Sequence, residues 1–415
     1  MTSSKCIVLG GGMVAGYAAK ELVSHGLGSW QLLIISADDA LPYERPPLSK
    51  GFLSGKENEA GILINTSDWY RQQGIDFRLQ TVIETVDLQK KQLHSASGET
   101  FEFETLLIAT GARARKLDCP GSGLPNVFYL RSLDDSRKIR ASAEDCKRAV
   151  VLGGGFIGME VAAVLAQKNI ETTLILKEDR VWSRVFTAPM SDFFEHYYTS
   201  RGVQLLKRES VVRFEGKNQV SAAVLSSGRT IPCGMIVAGV GASPVSELFT
   251  NSGLAVENGV VVNEYLETNQ PGIFAAGDVA NYIDIIFEKR RRVEHWDNAV
   301  SQGQHWASLL GSERKPFVHV PYFFSDVFDI SYELWGDSEG ATHIVARGDL
   351  NSPSFSVWWL KQGHLVSAFA MNRPDEERQA AAEWVKAKQL VAPERLGDNS
   401  RAVGDAALKT SNPNA

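Results

Sequence analysis

The chain has 415 residues, 44% hydrophobic and 22% charged, an ordinary globular composition long enough for two or three domains with full cores. Lys and Arg number 43 against 49 Asp and Glu, a net charge of −6, which argues against a general nucleic-acid binder, since that needs a basic face to neutralise phosphates. Four dispersed cysteines (Cys6, Cys119, Cys146, Cys233), with no CxxC pair and no ligand-like Cys/His spacing, argue against a disulfide framework and a structural zinc site. No apolar run is long enough for a bilayer, and MTSSKCIVL at 1–9 runs straight into a strand. The expectation is a soluble, cytoplasmic protein in a reducing compartment, with no metal and neither membrane nor nucleic acid as partner.

In chain order, the first predicted unit is KCIVLGGGMVAGYAAKELV (5–23): an apolar strand, three glycines at Gly10, Gly11 and Gly12, then a helical pattern. Gly10 allows a tight turn, Gly12 lets backbone N–H groups approach a pyrophosphate, and Ala15 and Gly16 are small enough for close helix–strand packing. The helix N-terminus offers its unpaired N–H groups and positive end to the phosphates. A second strand, QLLIIS (31–36), follows. A carboxylate about 20 residues past the turn should hold the ribose hydroxyls: Asp38, or else Asp39. TLLIATGA (105–112), which includes Thr110 and Gly111, reads as a buried strand ending in a Gly turn.

The layout then repeats. RAVVLGGGFIGMEVAAVLAQ (148–167) carries a full GxGxxG in Gly153, Gly155 and Gly158, and the strand TTLILK (172–177) leads to Glu178. A carboxylate there accepts both ribose hydroxyls of NADH and repels a 2′-phosphate, whereas the flanking Lys177 and Arg180 favour NADPH. Two βαβ units imply two nucleotide lobes, one for a tightly held flavin and one for a nicotinamide donor. MIVAGVGASP (235–244) and GIFAAGDVA (272–280) are further buried strands. From about Pro316, aromatic alternating strands (PYFFSDVFDISYELWG, FSVWWL, LVSAFAM) and the helix DEERQAAAEWVKAK (375–388) read as a separate α+β domain. The fold class is therefore α/β: two Rossmann-like dinucleotide-binding domains plus a C-terminal α+β domain. The boundaries are 1–117 and 245–315 for the first, 118–244 for the inserted second, and 316–394 for the third. The polar tail at 395–415 is expected to be disordered.

Five features together resemble the two-dinucleotide flavoprotein reductases: both fingerprints, PYERPPLSKG (42–51), LLIATGA (106–112) and TNQPGIFAAGDVA (268–280). VEHWDNA (293–299) narrows the likeness to the branch of monodehydroascorbate reductases, ferredoxin and putidaredoxin reductases, and apoptosis-inducing-factor-like proteins. It spans roughly 5–390 and is closest to monodehydroascorbate reductases, through stretches such as RVFTAPMSDFFEHYYTSRGVQLLK (184–207).

The resemblance implies FAD and NADH as cofactors, with NADPH possible. For FAD it implies the Gly10 turn with Gly11, Gly12, Met13 and Val14 at the pyrophosphate, and Asp38 at the adenosine ribose. Arg45 and Lys50 would lie at the flavin side, Ile83 near the adenine, and Arg131 at the phosphates. Thr110, Gly111 and Gly277 join the cofactor set, with Asp278 on the ribityl chain and Trp296 over the flavin pyrimidine. For the nicotinamide donor it implies the turn from Gly153 and Gly154 through Gly155, Phe156, Ile157 and Gly158 to Glu160, then Glu178, Arg184, Gly241, Glu294 and His295. Lys50 beside flavin N5 and Glu160 towards the flavin–nicotinamide junction are the candidate catalytic residues, a mutually neutralised pair.

Dithiol-relay reductases of this superfamily carry CxxxxC where this chain reads YERPPLSKGFL, without cysteine, so electrons must leave the flavin directly. The implied reaction is hydride transfer from NADH to flavin N5, then single-electron transfer to an acceptor. That acceptor is monodehydroascorbate or a small iron–sulfur carrier; the alternative is an NADH-switched interaction protein of the apoptosis-inducing-factor kind. Plant-type monodehydroascorbate reductases have an arginine after VEHxDxA, where Val300 stands here, and a tyrosine in a stretch that here reads PYFFSD, with Phe324 and Asp326. Lys289 to Arg292 reads either as a docking patch for an acidic electron carrier or as a solvated, partly FAD-adjacent run.

Overall fold

Short apolar strands, buried on both faces as parallel sheets require, form the centre of each of two units. The computed structural model describes residues 2–26, 32–311 and 314–408. One unit comprises the chain up to Arg115, Arg131–Asp134 and Gly241–His319; the other comprises Lys116–Leu130, Asp135–Val240 and the chain from Val320.

In the first unit the strand Thr2–Leu9 lies between two parallel partners, Leu32–Ile35 and Thr100–Ile108, with Leu9 opposite both Ile35 and Ile108. Asp76–Arg78 extends one edge, and Ile273–Ala275 joins the other side of Thr100–Ile108, also in parallel. Ile7, Val8, Ile34 and Ile108 are fully buried, which explains why these strands read as unbroken apolar runs rather than alternating ones. The crossover helix Met13–Ser24 packs on the helix Trp296–Gly311. They are tightly apposed at Gly303, where a Cβ would sit 2.8 Å from the Val14 carbonyl oxygen.

In the second unit the strand Arg148–Leu152 is flanked in parallel by Glu171–Leu176 and Met235–Ala238, with the helix Phe156–Gln167 as crossover. An antiparallel sheet, Val211–Gly216, Val220–Leu225 and Thr230–Pro232, covers one side. The aromatic C-terminal run forms a five-stranded antiparallel sheet that opens with the hairpin Tyr322–Val327/Ile330–Gly336 and carries the helix Asp375–Ala387.

Two findings differ from the sequence expectation. The C-terminal sheet shares one core with the second nucleotide lobe: Phe186 meets Phe369 at 5.2 Å, Phe193 meets Phe355 at 5.5 Å and Phe194 meets Tyr332 at 5.1 Å between ring centroids. The region expected to be disordered from Arg395 is ordered through Leu408; residues 409–415 lie outside the described residues. Its Leu396 and Ala406 are fully buried. Arg347, 4% exposed on the strand His343–Asp349, donates to the carbonyls of Leu396, Asp398 and Arg401. A polar composition concealed a segment held by a few buried apolar side chains together with backbone groups.

Candidate functional site

The first Gly turn is built by steric necessity. Gly10 has φ +125°, and a Cβ there would lie 2.1 Å from the Ala109 carbonyl oxygen. Gly11 is pressed against Ser36, where a Cβ would come within 2.4 Å of Oγ. Gly12 is different: it caps the helix Met13–Ser24 without a side-chain hydrogen bond, and a Cβ there would meet only Arg45, at 3.6 Å. Met13 and Val14 begin the helix, both buried.

Around this turn the first unit gathers a charged network. The Tyr43 hydroxyl donates to Asp38 Oδ2 at 2.9 Å, whereas Asp39 is exposed. Glu44 accepts from the Tyr17 hydroxyl and from Trp296 Nε1, fixing the first residue of the helix Trp296–Gly311. Arg45 donates to the Arg131 carbonyl, and Arg131 pairs with Asp278 at 2.6 Å. Burial and the adjacent Arg131 hold the Arg45 guanidinium below its usual range, so two cations converge there. Asp278 is 8% exposed, and the Gln302 side chain accepts from the Gly277 N–H at 2.7 Å. Gly277 itself has φ +77° and packs on Val14. Thr110 donates to the Val245 carbonyl, Gly111 has φ +68° beside Arg131, and half-buried Ile83 starts the strand Ile83–Asp87. Half-buried Lys50 sits where the turn Pro46–Ser49 meets the short helix Gly51–Ser54. Gly241 has φ +105° and its carbonyl accepts from Arg115; Glu294 is exposed and paired with Arg292, and His295 is half-buried.

In the second unit Gly153 has φ +107° and Gly158 packs on it, a Cβ at 158 falling 1.9 Å from the Gly153 carbonyl oxygen. Gly154 faces Leu176, whereas at Gly155 a Cβ would meet nothing within 4 Å. Gly155 caps the helix Phe156–Gln167, again without a side-chain bond. Phe156 stacks on Phe323, and Ile157 is exposed. Glu178 and Arg184 are exposed beyond the strand, while Arg180 is drawn to Asp179 and the Ser183 carbonyl. Lys50 and Glu160 fall in different units. Glu160 is 5% exposed and accepts a 2.5 Å hydrogen bond from Ser325.

Both helix starts therefore offer open space lined by unpaired N–H groups and no competing cap, which fits two pyrophosphates. Residues 4–303 match the pyridine nucleotide-disulphide oxidoreductase family, and residues 322–407 match the reductase C-terminal family. The chain belongs to the pyridine nucleotide-disulphide oxidoreductases. It is similar to a monodehydroascorbate reductase of Solanum lycopersicum, 35% identical over 408 residues, covering 92% of this chain and 94% of that protein. It is likewise 35% identical to the peroxisomal monodehydroascorbate reductase 4 of Arabidopsis thaliana, covering 93% and 83%. Among solved structures it resembles putidaredoxin reductase in covalent complex with putidaredoxin (31% identical, 98% of each chain, TM-score 0.92). It also resembles a ferredoxin reductase of Rhodopseudomonas palustris (31% identical, 98% and 100%, TM-score 0.93). As a pyridine nucleotide-disulphide oxidoreductase, this chain is an NAD(P)H-dependent flavoprotein reductase that uses FAD. Despite the family name, all four cysteines are free and none lies near Lys50 in sequence.

One expectation is corrected. The Lys289–Arg292 run is not a free docking patch: Arg290 stays exposed, but its guanidinium and those of Arg291 and Arg292 are engaged. Arg290 donates to the carbonyls of Val262 and Asn281, Arg291 pairs with buried Asp284 at 3.1 Å, and Arg292 donates to the Asp278 carbonyl. Three residues escaped the sequence reading: Glu44, Gln302 and Ser325. Only Glu44, inside PYERPP, had a local signal. Among the described residues no helix is long and apolar enough to cross a membrane.

Proposed function

We propose that the protein oxidises NADH and delivers electrons singly from its flavin, without a thiol relay, to an external acceptor. The absence of cysteine from Tyr43 to Leu53, the segment where dithiol-relay reductases carry theirs, is the observation that carries this reading. Bound FAD supplies the conversion of a hydride into single electrons, which no side chain here can perform. The protein's part is binding and alignment. The Gly10–Val14 turn and the Arg45–Arg131 pair hold the flavin pyrophosphate, Asp38 the ribose, and Asp278 the ribityl hydroxyls. Trp296, steadied by Glu44, covers the pyrimidine end. The Gly153–Gly158 turn and Glu178 hold the nicotinamide donor, with Lys50 and Glu160 as the catalytic candidates. The preference for NADH is supported by exposed Glu178 and by Arg180, whose guanidinium is already drawn to Asp179 and Ser183.

For the acceptor, the first reading is monodehydroascorbate, supported by the full-length likeness to reductases of that radical. The second, a small iron–sulfur carrier, is favoured by Val300: at 8% exposure it offers an anionic radical neither charge nor access. The deciding experiment is steady-state NADH oxidation with enzymatically generated monodehydroascorbate, ferricyanide, and a ferredoxin coupled to cytochrome c. Micromolar KM for the radical supports the first reading; turnover of the ferredoxin but not the radical supports the second. NADH oxidation with none of the three, ferricyanide included, defeats both.

A further inference from the structure

Glu160 stands on a helix whose neighbouring side chains, Met159, Val161, Ala162 and Ala163, are at most 1% exposed. A buried carboxyl group in such surroundings needs hydrogen-bond partners and a reason to hold one rotamer. In the strand Tyr322–Val327, Phe324 and Asp326 alternate with the inward positions Ser325 and Val327, and Ser325 is fully buried where an apolar side chain would ordinarily stand. Three hydroxyls gather here. Tyr198 donates to the Met159 carbonyl at 3.0 Å. Tyr332, directly across the hairpin from Ser325, is fully buried with its hydroxyl beside that of Ser325. Ser325 donates to Glu160 Oε1 at 2.5 Å.

We infer that Ser325 is a positioning residue: it fixes the Glu160 carboxylate so that the C-terminal sheet sets the geometry of the nicotinamide site. This rests on the reading of Glu160 as a catalytic candidate and adds the group that orients it. The test uses flavin-loaded protein carrying Ser325→Ala, Ser325→Thr or Glu160→Gln. Each variant is followed by flavin content, NAD⁺ affinity, the long-wavelength absorbance that develops with NADH under anaerobic conditions, and the rate of flavin bleaching. Ser325→Ala is expected to bleach roughly ten- to a hundredfold more slowly, as for a misplaced reacting group, with a weakened absorbance band and unchanged flavin content. Ser325→Thr, which keeps the hydroxyl, restores both. If Glu160→Gln alters band and rate but Ser325→Ala does not, Ser325 is packing and the inference fails alone. If neither variant alters them, the Glu160 reading fails and takes the inference with it. Should Ser325→Ala lose flavin or unfold, Ser325→Cys, similar in volume but a weak donor, takes its place under the same criteria.

Discussion

Glycines that share one motif face different constraints here, and substitution separates them. At Gly12 a larger side chain has room in the protein but fills the space above the helix start, so Gly12→Val is expected to fold and be isolated largely without flavin. At Gly158 even a methyl collides with a backbone carbonyl, so Gly158→Ala is expected to lower stability in the first place. The ratio of flavin to protein absorbance and the thermal midpoint, measured on both, distinguish the two outcomes. A stable, flavin-replete Gly12→Val would remove that turn from the flavin site. Glu178→Ala is expected to erode the NADH preference, chiefly through KM; a wild-type kcat/KM that favours NADPH tenfold, about 1.4 kcal/mol, would reverse the assignment. These positions were legible in the sequence because turn, helix start and ribose carboxylate are neighbours along the chain. Ser325 was not, because its partner Glu160 lies 165 residues away and a lone serine in an aromatic strand carries no signal.

The C-terminal segment shows the same contrast at the level of elements. Its helix and strands follow from alternation and periodicity, but the last ordered stretch is tied in part to a buried ionic knot. Glu377, 3% exposed, accepts from Arg347, from Arg373 and from Ser356. Burial alone would raise its carboxyl, yet the bonds from Arg373, Arg347 and Ser356 outweigh it and hold the group below its usual range. A depressed acid stabilises the fold above its unfolded pKa, near 4.5, and that contribution drains away as pH falls through the lower folded value. Acid unfolding should therefore show a component below about pH 4.5 that is absent in Glu377→Gln. Arg347→Met removes one partner of a buried pair and is expected to cost roughly 3–5 kcal/mol, read as a lower denaturant midpoint. A loss within 0.5 kcal/mol would show that Arg373 suffices. Composition misled here because Arg347 satisfies carbonyls, and any residue type can supply a carbonyl.

Over the whole molecule, most residues proposed to hold the flavin lie in the first unit, while the second fingerprint lies in the other. Calorimetry should resolve two transitions, as multidomain proteins commonly show. Removing FAD should lower the one belonging to the first unit, because a ligand that binds only the folded state raises its stability by mass action. A single transition that shifts as a whole would mean the units unfold together. The two nucleotide lobes were readable from a repeated motif. The assignment of the C-terminal sheet to the second unit was not, since periodicity tells which face of a strand is apolar but not which neighbour covers it.

The shared aromatic core that joins Phe186, Phe193 and Phe194 to Tyr332, Phe355 and Phe369 fixes where this chain can be recombined with its relatives. A chimera that exchanges only the sheet after residue 320 would set one parent's rings against the other parent's sockets. Crossovers near 115, 130, 134, 240 and 319 would instead transplant the nicotinamide lobe and the sheet as one inherited block, with every ring meeting its own partner.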